Sequence, residues 1–211
     1  MGCLEAYWSG ENMEIRAKWF ELKGDETLAL DWPLDENSHV WEIGGYEGRW
    51  AQQIWDKFHC HITIFEPQFW AVERLLKRFE GNEKIDIRPY GLWTQKIILA
   101  LGNYHTDGAS LVKDDGREEK QLGIFRDYYY EIYGSRFPID LMLMNIEGGE
   151  FALLPAMIAS GIIANFNYFW CQFHPDESGN VDVLHYIENG MKKTHDLLWD
   201  CYPTAVAWRK K

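Results

Sequence analysis

V-W-E-I-G-G-Y-E-G, residues 40 to 48, is the stretch of sequence that decides the fold. Its apolar start, its glycines and the large apolar residues that follow at helical spacing predict a buried strand, a tight turn and a helix. Glycines let the backbone of such a turn approach a ligand closely, and the free N–H groups of a helix start favour polar or anionic ligand atoms. We therefore expect a ligand site at the turn glycines, which are Gly44, Gly45 and Gly48.

A second predicted strand, His61 to Phe65, ends in Glu66 and Pro67. Glu66 follows Gly48 by eighteen residues. At about this separation, α/β nucleotide-binding folds place an acid that accepts hydrogen bonds from ribose hydroxyls. The two segments together predict a site for a cofactor that contains a nucleoside.

The glycine spacing and Glu42 indicate which cofactor is expected. The dinucleotide fingerprint is Gly-x-Gly-x-x-Gly, and Ile43 stands where its first glycine belongs if Gly45 and Gly48 are the second and third. Glu42, at the strand end, would repel a pyrophosphate but attract the cationic sulfonium and ammonium groups of S-adenosylmethionine (SAM). We therefore predict SAM as the cofactor. The alternative is a glycine turn that only lets a helix pack against a sheet.

Alternating strand and helix patterns along the chain predict an α/β fold. We expect a Rossmann-like, doubly wound, mostly parallel seven-stranded sheet with a C-terminal antiparallel strand pair. Pro155 lies past the first turn of a predicted helix and is expected to break or kink it. Other predicted elements are a short strand over 27–32, a helix over 69–79, a hairpin over 96–101 and a closing strand pair around Pro203.

The length of 211 residues predicts a single domain, 1–211. Residues 1–26 are expected to form an N-terminal lead-in. Residues 102–120 are rich in Gly, Asp, Lys and Glu and read as one long loop. Loops of that length in a compact domain usually have a function, so we predict a lid or substrate loop there.

Charge and composition restrict the partners. A net charge of −12, with one short basic cluster at 209–211, argues against a nucleic-acid partner, because phosphate binding needs clustered Lys and Arg. A small-molecule or glycan substrate is expected instead. No segment approaches 18 consecutive apolar residues, so no membrane span is predicted.

The four cysteines are widely scattered, without metal-ligand spacing or a Cys-x-x-Cys motif. We therefore predict no metal site. Free, buried thiols are the common outcome for such cysteines, which favours a reducing, cytoplasmic location.

Parallel sheets bind ligands beyond the carboxyl ends of their strands. Glu147 and His174 are predicted at that edge as candidate catalytic bases. Glu150 and His105 are candidate substrate contacts, although Glu150 could instead only stabilise the first turn of a helix, and His105 could be a solvated loop residue. The predicted cofactor-binding residues at this edge also include Glu42, Glu66, Tyr90 and Asn145.

Three segments of the chain resemble the FkbM-type family of SAM-dependent methyltransferases. They are residues 40–48, F-E-P at 65–67 and N-I-E-G-G-E at 145–150. The family pattern runs Asp-x-Gly-Ala-Asn-x-Gly, then Glu-Pro, then Lys-x-Asp-x-Glu-Gly-x-Glu, and the match in order extends from about Leu28 to Pro175.

The resemblance implies that Glu42, Gly44 and Gly48 hold the methionine part of the cofactor and that Glu66 holds its ribose. The chain departs from the family pattern in the first segment, where Glu42 stands for Asp and Gly45 and Tyr46 stand for Ala and Asn. It also departs at two positions at and just before the third segment. Leu143 stands where the family has Lys, and Asn145 stands where it has Asp.

Family members of this type act largely on sugars and natural products. The resemblance therefore implies an O-methyltransferase that moves a methyl group, by in-line displacement, to a hydroxyl of a sugar, glycan or glycoconjugate. Two alternatives stay open at this point. One is a non-catalytic SAM-binding protein of the same fold, which the departures at 143 and 145 favour, and the other is a nicotinamide-dependent reductase.

Overall fold

The structure is a computed structural model that describes residues 18–101, 121–128, 131, 138–175 and 180–211. Residues 18–21 are helical, and short 3-10 turns occupy Leu28–Leu30 and Ile162–Asn165. In chain order, the other elements are β1 (His39–Ile43), α1 (Arg49–Phe58), β2 (His61–Phe65), α2 (Phe69–Arg78), β3 (Ile85–Arg88), β4 (Gly91–Trp93), β5 (Ile97–Leu101), β6 (Gln121–Asp127), β7 (Ile139–Met144), α3 (Glu150–Ala159), β8 (Phe166–Cys171), α4 (Val181–Thr194), β9 (His195–Cys201) and β10 (Ala205–Lys210).

A seven-stranded sheet forms the centre of the molecule, in the order β3-β2-β1-β7-β8-β10-β9. Neighbouring strands from β3 to β8 are parallel, whereas β10 is antiparallel to both β8 and β9. This confirms the predicted mostly parallel sheet with its C-terminal antiparallel pair. The strand order reverses between β1 and β7, and in such sheets the reversal opens a crevice at the carboxyl ends of the two strands.

Side chains on the two faces of the sheet enter two separate hydrophobic clusters. Trp41 and Ile43 of β1 pack with α3 and α4, whereas Val40 packs with α1 and α2 on the opposite face. Because side chains alternate along a strand, Glu42 shares the face of Val40. Both faces of β1 are therefore covered, and Glu42 is a carboxylate inside a doubly wound core.

The described part of the N-terminal lead-in is integrated with this core. Trp19 is buried, and its ring stacks on that of Trp170 with a centroid distance of 6.2 Å. The predicted strand over 27–32 is wrong, because Leu28–Leu30 form a 3-10 turn. The carbonyl oxygen of Ala29 accepts hydrogen bonds from the indole N–H groups of Trp32 and Trp50, at 2.8 and 3.0 Å, and these hold the chain in the turn.

A second, three-stranded sheet replaces the predicted hairpin over 96–101. Within that range the structure has the single strand β5, which pairs antiparallel with β6, while β4 pairs parallel with β6. The pairing partner comes from 121–127, beyond the predicted lid at 102–120, which lies outside the described residues. Local periodicity identifies a strand but not a partner so distant in sequence.

Helix α3 runs from Glu150 to Ala159 through Pro155, so the predicted break is not present. On this helix, the side chains of Leu153, Leu154 and Met157 are fully buried against the sheet. This packing holds the helix together across the position where proline removes a backbone hydrogen bond.

The close packing of Gly48 against the α2 region can be tested by adding a methyl group at this position. Its φ is +73°, and an added Cβ would lie 2.6 Å from Leu75 Cδ2 and 2.8 Å from Phe79 Cε2 of the α2 region. Gly48→Ala should therefore lower the free energy of unfolding by about 2–4 kcal/mol, from left-handed strain plus overpacking. Urea unfolding measures the loss.

The matched control is Gly81→Ala. Gly81 has a similar φ of +78°, but nothing lies within 4 Å of an added Cβ, so only the backbone strain of about 1–2 kcal/mol applies. Equal losses in the two variants would contradict the packing role of Gly48.

Candidate functional site

The glycine turn after β1 is pressed against the end of β7. Gly44 has a φ of +88°, and a Cβ there would overlap the backbone carbonyl oxygen of Asn145. The turn is held by hydrogen bonds from Gly44 N to Phe65 O at 2.9 Å and from Asn145 N to Ile43 O at 3.0 Å. Only glycine satisfies both the dihedral angle and the space at position 44.

The other two glycines serve different purposes. A Cβ on Gly45 would overlap the Ile64 side chain on the neighbouring strand β2. Gly48, as described above, faces α2. Gly44 and Gly45 line clefts at the sheet edge, whereas Gly48 is not among the cleft-lining residues in the described part of the chain.

Two adjoining clefts open at the carboxyl edge of the large sheet and share Gly44, Tyr46 and Asn145. The first cleft, with an empty volume of about 790 Å³ including its open mouth, extends from the turn to the small sheet. Its walls include Phe65, Glu66, Leu92, Trp93, Phe125 and Glu147. The second cleft lies on the side of α1, has an empty volume of about 1020 Å³, and is lined among others by Glu42, Glu47, Arg49, Leu143, Trp170 and Gln172.

Glu66 lines the first cleft and is only 3% exposed. One carboxylate oxygen accepts a hydrogen bond from Tyr46 N at 2.7 Å, and the other accepts one from Gln68 N at 2.8 Å. Burial raises the pKa of Glu66 to about 7, although the two backbone N–H groups act in the opposite direction. Each oxygen retains a lone pair for a further donor.

Glu42 lines the second cleft and is also 3% exposed. Its Oε2 is buried without a hydrogen-bond partner among the described residues. Burial raises the pKa of Glu42 well above its ordinary value, and the nearby charge of Glu66 raises it further. Leu143, the residue beside it on β7, supplies no compensating charge.

Glu147, His174 and Glu150 form a hydrogen-bonded row beside the clefts. Glu147 Oε1 lies 3.1 Å from His174 Nε2, and Glu150 Oε1 lies 3.2 Å from His174 Nδ1. Glu150 also accepts hydrogen bonds from His174 N and, at 3.0 Å, from Gly148 N. The row links the turn after β7, the start of α3 and the end of β8.

His174 is a cation in this row at neutral pH. Burial alone would lower its pKa, but hydrogen bonds and charge from Glu147 and Glu150 outweigh burial and raise the pKa to about 9. An imidazolium cannot accept a proton, so the surroundings of His174 do not support its predicted role as a base. Glu147, with a φ of +54°, is the member of the row that lines the first cleft.

The remaining predicted site residues occupy different places. Asn145 lines both clefts, and its Oδ1 is a buried atom with no hydrogen-bond partner in the described chain. Tyr90 is packed in the core between Phe65 and the guanidinium of Arg126 rather than lining either cleft. Glu150 is fully buried behind the clefts with both oxygens engaged, a position that does not support direct substrate contact. His105 lies outside the described residues.

Sequence reasoning missed several residues of the clefts. Tyr46 adopts a φ of +45°, and its N–H reaches Glu66, but only the folded turn reveals this. Trp93 and Phe125 are aromatic residues that the sequence marks as suited to stacking on a sugar, but their place in the small sheet, and so in the first cleft, was not predictable. Trp170 lies on β8, and the cleft that it faces is lined by three other segments of the chain, which come together only in the folded protein.

The fold is similar to those of solved methyltransferase structures. A candidate rRNA methylase from Clostridium thermocellum has a TM-score of 0.54 and 9% identity, with 90% of this chain and 94% of that chain covered. An rRNA methylase from Streptococcus thermophilus has a TM-score of 0.52 and 13% identity, with coverages of 89% and 94%. A candidate methyltransferase from Streptococcus mutans, in complex with S-adenosylhomocysteine (SAH), has a TM-score of 0.51 and 12% identity, with coverages of 91% and 97%.

The sequence itself matches no family model and no curated protein. The structural comparisons nevertheless show that the chain has the α/β fold of these methyltransferases, and the likeness extends over most of its length. Two of these neighbours are described as rRNA methylases, and the predicted exclusion of nucleic acid stays a prediction for this chain.

Within the described ranges, no helix is long and apolar enough to cross a membrane. The same ranges contain no group of three or more His, Cys, Asp and Glu side chains arranged to hold a metal ion.

The row of Glu147, His174 and Glu150 predicts an unusual histidine titration. The ring protons of His174 should titrate near pH 9 in the wild-type protein, and at a lower pH when Glu150→Gln removes one of the two carboxylates that raise the pKa. The raised pKa stabilises the fold fully below pH about 6.5, and this stabilisation is lost as the pH rises through about 9.

NMR titration of the histidine ring protons measures the value, and His174→Gln assigns the signal. Titration of His174 between pH 6 and 7 in the wild-type protein would show that the carboxylates do not hold an imidazolium.

Proposed function

We propose that the protein is a SAM-dependent methyltransferase that binds its cofactor across both clefts. The observation that carries the proposal is a pair of buried carboxylates at the switch point, with Glu66 beside the first cleft and Glu42 beside the second. The donors described at Glu66 are backbone N–H groups, and no described residue pairs with Glu42 Oε2. A buried carboxylate without a cation is costly unless a ligand supplies donors or positive charge.

The first cleft fits the adenosine part of the cofactor. Glu66 lies at the end of β2, where its free lone pairs can accept hydrogen bonds from both ribose hydroxyls. Leu92, Trp93 and Phe125 provide an apolar and aromatic wall for the adenine base of the cofactor. Such a cleft, mostly apolar with a few placed polar groups, is typical of cofactor sites.

The second cleft fits the cationic part of the cofactor. Glu42 Oε2 and Asn145 Oδ1 are both buried acceptors that lack a partner in the described part of the chain. They can receive an ammonium group, and Glu42 attracts a nearby sulfonium. The same carboxylate would repel the pyrophosphate of a nicotinamide cofactor, which disfavours the reductase alternative.

When bound, SAM supplies an electrophilic methyl group on a cationic sulfur. Glu147, which lines the first cleft, is our candidate base for the acceptor hydroxyl. His174 holds Glu147 Oε1 at 3.1 Å, and Glu150 holds His174 from the buried side. The three residues therefore fix the direction of one carboxylate rather than relay a proton through the histidine.

We propose a neutral hydroxyl, with a sugar or glycan as the first choice, for the acceptor. The described cleft residues include the carboxylates of Glu47 and Glu147 in addition to the two buried ones, while Arg49 is paired with Glu47 at 3.6 Å. This arrangement is unfavourable to a phosphodiester chain. The resemblance to the FkbM-type family supports the same choice.

We also propose a reducing, cytoplasmic location. Cys60, Cys171 and Cys201 are buried free thiols, and burial raises the pKa of each. Buried thiols with raised pKa values are poor nucleophiles and resist oxidation.

Cofactor affinity should depend on pH through Glu66. Because the pKa of Glu66 is about 7, its carboxyl is mostly protonated at pH 6 and must ionise to accept both ribose hydroxyls. SAH should therefore bind roughly tenfold more tightly at pH 8 than at pH 6. At pH 8, Glu66→Gln should weaken binding about tenfold or more, because it replaces charge-assisted hydrogen bonds, and should weaken the pH dependence. Calorimetry measures both effects.

The control is Glu83→Gln, an exposed glutamate just before β3 at the opposite edge of the sheet. It should bind SAH as the wild type does at both pH values. Binding of SAH that is independent of pH and unchanged in Glu66→Gln would remove Glu66 from the cofactor site.

Turnover should depend on Glu147. On an acceptor identified by transfer of labelled methyl to a panel of neutral glycans, Glu147→Gln should reduce turnover about 10²–10⁴-fold while keeping SAH affinity. An RNA oligonucleotide panel tests the other acceptor class.

Glu73→Gln, an exposed glutamate on α2, is the matched control and should keep full activity. Near-normal turnover of Glu147→Gln would exclude the carboxylate as a base. SAH binding with no methyl transfer to any acceptor class would favour the non-catalytic alternative.

A further inference from the structure

Trp170 carries a buried hydrogen-bond donor that the fold does not use. The side chain belongs to β8, is 7% exposed and lines the second cleft. Its indole Nε1 is buried and has no hydrogen-bond partner among the described residues. Buried tryptophan N–H groups usually find a partner, so a lone one that borders a cleft calls for a ligand atom.

The position of Trp170 relative to Glu42 is fixed by strand register. Glu42 pairs with Leu143 across β1 and β7, and Leu143 pairs with Trp170 across β7 and β8. Paired residues of parallel strands share a face, and two strand spacings separate Glu42 from Trp170 by about 10 Å at their Cα atoms. Leu143, which is buried, lies between them and forms the apolar floor of the second cleft.

The two ends of this cleft floor differ in hydrogen-bonding chemistry. At one end, Glu42 Oε2 and Asn145 Oδ1 are acceptors without partners in the described chain, and at the other end Trp170 Nε1 is a donor only. A ligand that satisfies both ends must present donors on one side and an acceptor on the other. An α-amino acid group, with its ammonium on one side and its carboxylate on the other, presents both kinds of atom.

We infer that the indole N–H of Trp170 binds the carboxylate at the amino-acid end of the cofactor and makes the site selective for ligands that carry it. The inference rests on the proposed function, because it requires a SAM-type cofactor across the two clefts.

The surrounding rings hold the donor in place. Trp170 packs against Trp19, Trp50 and Trp199, with ring centroids 6.2, 6.0 and 6.5 Å away. A donor that is already oriented loses little freedom when a ligand binds. Arg49 is a weaker candidate for the same carboxylate, because its side chain is 80% exposed and lies 3.6 Å from the carboxylate of Glu47.

The experiment is a double-mutant cycle between protein and ligand, measured by calorimetry. The ligands are SAH and its decarboxylated analogue, which keeps the amine and lacks only the carboxylate. Wild-type protein should bind SAH at least tenfold more tightly than the analogue. In Trp170→Phe, which loses the N–H, SAH should weaken toward the analogue, while affinity for the analogue changes less than twofold.

Two further variants serve as control and rescue. Trp199→Phe alters the same group of packed tryptophans, but Trp199 is not among the described residues that line the second cleft, so the preference for SAH should be kept. Trp170→His retains a ring N–H and should regain part of the preference. If Trp170→Phe does not fold, NMR of tryptophan-labelled wild-type protein should show one indole N–H signal that moves with SAH and not with the analogue.

An equal preference for SAH in wild type and Trp170→Phe would overturn the inference and place the carboxylate on another donor, such as Arg49 or the start of α1. Absence of any indole signal specific to SAH would overturn it as well. Failure of wild-type protein to bind either ligand would instead refute the proposed function itself.

Discussion

The carboxylate of Glu66 joins two parts of the site that are distant in sequence. By accepting hydrogen bonds from the N–H groups of Tyr46 and Gln68, it ties the glycine turn after β1 to the segment after β2. The same carboxylate is buried, and Glu42 is buried on the neighbouring strand. Burial makes it costly to ionise both carboxyl groups in the protein alone, so a ligand with hydroxyl donors and a positive charge stabilises both the site and the fold. The choice of cofactor follows from this constraint more directly than from the glycines.

A second group of charges beside the clefts is balanced within the protein. Glu150 is fully buried and would be costly as an isolated charge, but the His174 imidazolium compensates it and extends to Glu147. The contrast between the two groups assigns their roles. We propose that the uncompensated acids at Glu42 and Glu66 bind a cationic, hydroxyl-bearing ligand, and that the compensated row fixes the direction of the Glu147 carboxylate at the cleft wall.

Local sequence patterns predicted the elements that depend on local structure. Apolar periodicity and glycine predict β1, β2, the glycine turn and α1, and the alternation of strands and helices predicts the mostly parallel, doubly wound sheet. The sequence could not reveal the small sheet, because β6 joins β5 across a long intervening segment. It also gave no indication that Gly48 faces α2, or that two carboxylates surround His174, because both depend on contacts formed only in the folded chain.

The most direct test is a crystal structure of the protein grown with SAH. We expect both ribose hydroxyls within hydrogen-bond distance of the Glu66 carboxylate, the adenine base in the first cleft, and the amino group in the second cleft beside Glu42. A complex in which SAH lies away from the carboxyl ends of β1 and β7 would contradict the proposed cofactor site. If crystals grown with saturating SAH do not contain it, and the same two clefts bind a nicotinamide dinucleotide instead, the proposed cofactor is contradicted as well.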